Sequence, residues 1–268
     1  MTRIVPLRRP GLWLTSAVVG TLLVLLAASV WRNPNIVHSV IVQYQFAPAI
    51  LAGLRTTIVL ALLATVIGLV LGVVLAILRL SASPVLRLGS GFYTWLLRGT
   101  PLLVQILIWG NLALLFQHIG PFDTNAVMTP FVASVVALGL NEAAYMAEIV
   151  RAGILAVDRG QYEASLALGM PRTLAMRRII LPQALRVIIP PAGNQFISLL
   201  KATSLVSVIA GGDLLTAAQN ISSANLHTIE LMLVATFWYL VLTTITSIGQ
   251  YFVERRLGRS GTGLHGAR

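Results

Sequence analysis

Apolar residues run through this chain in long blocks, separated by short clusters of arginine, proline and glycine. An α-helix needs about 20 mostly apolar residues to cross a bilayer. Six blocks meet that demand: Leu12–Trp31, Ala49–Leu78, Thr100–Phe116, Phe131–Val150, Val187–Ile209 and Ile229–Val253. The second is long enough to tilt or to extend beyond the hydrocarbon. It contains Gly68 and Gly72 in a G-x-x-x-G spacing, which lets two helix backbones approach closely. There is no internal repeat, low-complexity tract or soluble domain, and the one sizeable polar interval is 151–186. The pattern predicts an all-α integral membrane protein of about six helices.

Composition agrees. Of 268 residues, 57% are apolar and 10% charged, and the mean hydropathy is +0.86. Soluble domains carry about 25% charged residues, so a soluble globule is excluded, as is disorder, which needs low hydropathy. The net charge of +11 is a topology signal, because cytoplasmic loops of membrane proteins collect arginine. With the N-terminus inside, the inner set is Arg3, Arg8, Arg9, Arg79, Arg87, Arg98, Arg151, Arg159, Arg172, Arg177, Arg178, Arg186, Arg255, Arg256, Arg259 and Arg268. Only Arg32 and Arg55 fall outside, and Lys201 lies within a span. No basic patch is interleaved with exposed aromatics, so no nucleic-acid partner is expected; the partner surface is the lipid bilayer. The first block also resembles a signal sequence, with Ala27-Ala28-Ser29 as a small-residue cleavage site, but it exceeds the usual 7–15 apolar residues and is expected to be retained.

Several chemistries are missing. There is no cysteine, hence no disulfide or cysteine metal site. The four histidines, His38, His118, His227 and His265, are scattered in loops and the tail, and none makes H-E-x-x-H. No G-x-S-x-G elbow occurs. A phosphate-binding loop needs a lysine after glycine, and the lone Lys201 sits between Leu200 and Ala202. No catalytic residue, cofactor or metal is expected, and ATP could drive this chain only through a separate protein.

The interval 158–182 is punctuated more than a connector needs. Gln161–Leu168 favours helix, with Glu163 expected in its first turn, where the helix dipole favours an anion. Gly169 reads as the helix stop and Pro171 as the start of a second helix through Leu174, Met176 and Ile179, with Pro182 limiting its continuation. Two short helices around a stiff elbow fit either a lever docking in a partner's groove or an amphipathic segment held at lipid phosphates by Arg172, Arg177 and Arg178.

This segment resembles the EAA loop of ABC-importer permease subunits: E-A-A, three residues, G, nine residues, I, one residue, L-P. Here stand Glu163-Ala164-Ser165, Gly169, Ile179 and Leu181-Pro182, with Ser165 where the family usually has alanine. The runs Arg98–Gln105, Ala144–Ile154, Gly160–Ala164, Leu181–Ala184 and Lys201–Ile209 are similar to polar amino-acid permeases of the histidine/arginine/glutamine type, over about 53–253. A family glutamate is usual near Asp213, a mild departure.

The resemblance implies a five-helix type I importer permease core at 49–253 with a two-helix coupling loop at about 155–186. It would be preceded by residues 1–48 with one extra helix and followed by a basic tail at 254–268. It implies a bacterial inner-membrane protein with both termini cytoplasmic. Its partners would be two P-loop ATP-binding subunits, an extracytoplasmic amino-acid-binding protein and a second permease subunit, identical or homologous. Coupling would rest on Gln161, Glu163, Ala164, Ser165, Gly169, Leu181 and Pro182.

Charges inside a span are functional candidates by default. Glu142 is about ten residues from the inner end of its block, about 15 Å deep, beside Asn141. Either it faces the substrate pathway and meets an amino-acid ammonium, or it makes an internal bond, with Lys201 the available cation. Glu148 and Arg151 are spaced for a pair on one helix face. Asp213, after Gly211-Gly212, is expected near the outer surface. The rival function is an ion-coupled secondary amino-acid transporter, which would need a relay of intramembrane acids; only Glu142 lies deep.

Overall fold

The computed structural model describes residues 10–259. Arg3, Arg8, Arg9 and Arg268, four of the arginines assigned to the inner face, lie outside the described residues, as does the tail beyond 259. The chain is a succession of helices: α1 Pro10–Trp31, α2 His38–Tyr44, α3 Pro48–Leu80, α4 Pro84–Gly99, α5 Leu102–Gly110 and α6 Leu112–Leu115. A two-residue-per-strand hairpin, β1 His118–Ile119 and β2 Phe122–Asp123, leads to α7 Thr124–Val127 and α8 Pro130–Leu155. Then come α9 Arg159–Ala167, α10 Arg172–Ala175, α11 Leu181–Ala202, α12 Leu214–Asn225 and α13 Thr228–Arg259. A π-helical turn at Met176–Ile180 joins α10 to α11, and a 3₁₀ turn at Thr203–Ile209 extends α11.

The core is the seam between α3 and α8. Prolines start both helices, at a position that loses no intrahelical hydrogen bond. Where they meet, side chains are small: Ala61, Ala64, Gly68, Gly72 and Ala76 are buried on α3, and Ala137, Ala143, Ala144 and Ala147 on α8. A Cβ on Gly72 would stand 2.5 Å from the Met146 Cβ and 3.0 Å from the Ala147 nitrogen. The G-x-x-x-G therefore marks a real close approach of two backbones. Gly68 faces Glu142 as Gly72 faces Met146, so the two helices run parallel.

Parallel neighbours require the intervening chain to recross the bundle. Among the described residues, three helices are individually long and apolar enough to span a membrane: Pro48–Leu80, Pro130–Leu155 and Thr228–Leu257. The return between the first two is made by α4 and α5, broken at Thr100-Pro101. The crossing expected at Thr100–Phe116 is thus only its second half. α4, read from sequence as loop because its apolar positions are interrupted by Arg87, Ser90 and Thr94, supplies the first half. The crossing expected at Val187–Ile209 also begins earlier, at Leu181, and is followed by α12 at a bend of 43°.

α11 runs antiparallel to α8, since Gly153 packs on Ile188 while Glu142 meets Gln195. α13 returns antiparallel to α11, with Gln250 Nε2 donating to the Pro190 carbonyl (2.8 Å). α1 has no extensive packing on the other described elements, and its residues 15–22 are exposed. Arg79, Arg87, Arg159, Arg172 and Arg255 therefore gather at the end of the bundle that bears the α8–α11 connection, and Arg55 lies toward the other.

Candidate functional site

The α8–α11 connection is the elbow the sequence suggests, with altered details. α9 begins at Arg159, capped by Asp158, whose Oδ1 accepts from the Gly160 amide (2.6 Å). Asp158, and not Glu163, is thus the carboxylate at the helix N-terminus; Glu163 sits a turn further on, exposed. The stop is a Schellman motif: the Gly169 amide donates to the Leu166 carbonyl (2.9 Å) and the Met170 amide to that of Ser165 (3.1 Å). Gly169 adopts φ +76°, a left-handed conformation that a side chain disfavours.

Pro182 does not end the second helix. The π-helical turn just before it, with the Leu181 amide bonded to the Met176 carbonyl, lets the chain pass from α10 into α11 without a stop. Gln161, Glu163, Ala164, Leu181 and Pro182 are exposed, whereas Ser165 is 4% exposed and donates to the Tyr162 carbonyl (2.7 Å). The one departure from the E-A-A pattern thus lies inside the elbow, with Ala175 and Ile180 also buried, and leaves the outward face unchanged.

Half way along α8 lies a polar layer. Asn141 is 11 residues and Glu142 12 residues from Pro130, so both are about 17–18 Å from the nearer helix end. Glu142 is 1% exposed; its Oε2 accepts from Gln195 Nε2 (2.9 Å) and its Oε1 is buried without a partner. Lys201 does not pair with it. It is exposed at the end of α11, beside a pocket of about 260 Å³ lined by Ser204, Met232, Thr236 and Tyr239, and forms no ion pair among the described residues. Asn141 turns into the α4–α5 break, donating to the Leu97 carbonyl (3.0 Å) and to Gln105 Oε1 (3.1 Å).

Two further placements correct the sequence reading. Arg98 is not on an end loop: it follows Leu97 in the last turn of α4, at the level of the polar layer, with its guanidinium 5.2 Å from the Tyr145 ring centre. Asp213 lies toward the end of the bundle opposite the elbow, its carbonyl against Gly53, but it is not exposed there. It is fully buried, caps α12 through the Leu215 amide (2.9 Å) and the Thr216 amide (3.2 Å), and accepts from Tyr239 Oη (3.2 Å). Glu148 and Arg151 do pair, Arg151 Nε donating to Glu148 Oε2 (3.0 Å). Sequence reasoning missed Gln195 and Gln105 as members of the layer. A glutamine within an apolar block was the available signal.

Residues 68–259 match the family described as "Binding-protein-dependent transport system inner membrane component", and this chain belongs to it. The arginine transport system permease protein ArgU of Corynebacterium glutamicum is 43% identical over 263 residues, covering 96% of this chain and 83% of that protein. The L-cystine transport system permease protein TcyB of Bacillus subtilis is 40% identical over 220 residues, or 82% of this chain and 91% of that one. Among solved structures, a crystal structure of an amino acid ABC transporter with histidines superposes with a TM-score of 0.72 at 39% identity, covering 80% of this chain and 96% of that chain. The chain is accordingly a non-catalytic permease subunit of an inner-membrane ABC importer, and ATP hydrolysis belongs to a separate subunit.

Proposed function

We propose that this chain imports polar amino acids, with residues 49–253 forming the permease core and residues 155–186 the handle through which the ATPase drives it. The amino-acid specificity of the relatives supports the substrate class. The observation that carries the coupling role is the elbow itself: a capped helix, a Schellman stop and an uninterrupted entry into α11 give it fixed geometry, with Gln161, Glu163 and Ala164 turned outward. Its end of the bundle holds most described arginines, so it and both termini are cytoplasmic.

Two such subunits, identical or homologous, enclose the pathway. Each presents one elbow to one of two ATP-binding subunits, and an extracytoplasmic binding protein delivers the solute. Closure of the ATP-binding pair moves the elbows as rigid bodies and switches the pathway from inward-open to outward-open. Asn141 and Glu142, at mid-depth where polar groups must face protein or water and not lipid, border that pathway, and Lys201 borders it further along, at the end of α11. Glu142 is the group offered to a passing ammonium.

The test is Glu163→Lys in the full assembly. Amino-acid uptake is expected to vanish while the chain still inserts and accumulates in the membrane. Uptake at the wild-type rate, or uptake by this chain alone in vesicles without its ATPase, overturns the proposal.

A further inference from the structure

The α4–α5 break is held shut by one side chain in particular. α4 ends at Gly99, Thr100 is extended (φ −111°, ψ 144°), and Pro101 brings no amide hydrogen. The carbonyls at the end of α4 therefore lose their helical donors in the middle of the bundle, where no bulk water is at hand to replace them. Gln105, on α5 and 7% exposed, supplies the repair. Its Nε2 lies 2.8 Å from the Leu97 carbonyl, 3.1 Å from the Thr100 carbonyl and 2.8 Å from Thr100 Oγ1, and its Oε1 accepts from Asn141. Asn141 Nδ2 closes the ring on the same Leu97 carbonyl. Three segments, α4, α5 and α8, thus meet in a knot with both amides engaged.

That knot has a mechanical consequence. α8 continues unbroken for 14 residues from Asn141 to Leu155, where the elbow begins. On the other side, Gln105, Thr100 and Leu97 help to line a cavity of about 350 Å³ with Tyr93 and Trp109. We infer that Gln105 is the positioning residue that ties the bend of the α4–α5 crossing to α8, so that motion entering α8 from the elbow is delivered to the mid-membrane wall. The inference rests on the proposed coupling role of residues 155–186.

The experiment uses the complete assembly, with ATPase and binding protein, in proteoliposomes, reading uptake of radiolabelled arginine and glutamine against ATP hydrolysis. Gln105→Met keeps the shape and removes the hydrogen bonds. Uptake per ATP is expected to fall at least tenfold with hydrolysis within twofold of wild type. Adding Asn141→Leu to Gln105→Met is expected to cause a smaller fold-loss than Asn141→Leu causes in the wild type, because two members of one knot are not additive. The exchange Gln105→Asn with Asn141→Gln, which keeps two facing amides, is expected to restore at least half of the ratio. An unchanged ratio in Gln105→Met, hydrolysis falling in step with uptake, multiplicative losses in the double variant, or an inactive exchange variant each overturns the inference. Glu163→Lys measured in parallel separates the two readings: if it transports normally the elbow reading fails and this inference with it, and if it abolishes uptake while Gln105→Met keeps the wild-type ratio the elbow reading stands and this inference alone fails.

Discussion

Gly68 lies directly beneath the side chain of Glu142: a Cβ on Gly68 would stand 2.8 Å from the Glu142 Cβ and closer still to its Cγ. The single intramembrane acid of the polar layer is thus seated by the absence of a side chain on the neighbouring helix. Gly68→Ala forces α3 and α8 apart or pushes Glu142 off Gln195, at a cost of about 1–3 kcal/mol as for other overpacked cores. The unfolding midpoint of the detergent-purified assembly is expected to fall, and Gly72→Ala is expected to act in the same direction through Met146. An unchanged midpoint for both variants would contradict the close seam.

Glu142→Gln separates seating from function. The amide oxygen keeps an acceptor for Gln195, and the neutral amide that takes the carboxyl's place buries no charge. The unfolding midpoint is expected to equal or exceed that of wild type, whereas uptake falls if the carboxylate receives the solute's ammonium. Thermal unfolding and uptake on the same preparation check both halves. Wild-type uptake with unchanged substrate preference would remove Glu142 from the pathway.

At the elbow, Gly169→Ala places a Cβ in a left-handed residue, a strain of about 1–2 kcal/mol. Nothing lies within contact of that Cβ, so the effect is conformational and not steric. Uptake is expected to drop while membrane abundance holds. Gly169→Asn, which tolerates this conformation better, is expected to lose less. An alanine variant as active as the asparagine variant would refute the argument.

Asp213→Ala removes the cap of α12 and leaves Tyr239 Oη without its carboxylate. Loss of a cap alone costs about 1 kcal/mol, and the buried Thr216 hydroxyl, which also donates to Asp213, loses that acceptor at about 1–3 kcal/mol more. Limited proteolysis of the purified assembly is expected to cut near 210–226 in the variant before the wild type is cut.

The parts legible in the sequence are those fixed by local chemistry. The blocks at 49–78, 131–150 and 229–253 became α3, α8 and α13 because long apolar runs allow no other structure in lipid. Gly169 and Pro171 announced the elbow because helix stops and starts act within a few residues, whereas the cap at Asp158 went unread and Glu163 was placed a turn too early. What was not legible depends on distant partners. Whether Thr100-Pro101 starts a crossing or interrupts one is decided by Asn141, 40 residues further on. Asp213 looked exposed because two glycines precede it, and is buried because Tyr239 and the N-terminus of α12 receive it. Arg98 read as a loop charge because α4 is too polar to register as part of a span.

Gly153, near the end of α8, has no room for a side chain: a Cβ there would stand 3.4 Å from the Ala184 carbonyl and closer to Ile188. The two helices from which the elbow springs are thus clamped together at its root, like the legs of tongs bound below the grip. A thrust on the elbow has no means of spreading them, so it arrives in the bundle as a turn of α8 and α11 together.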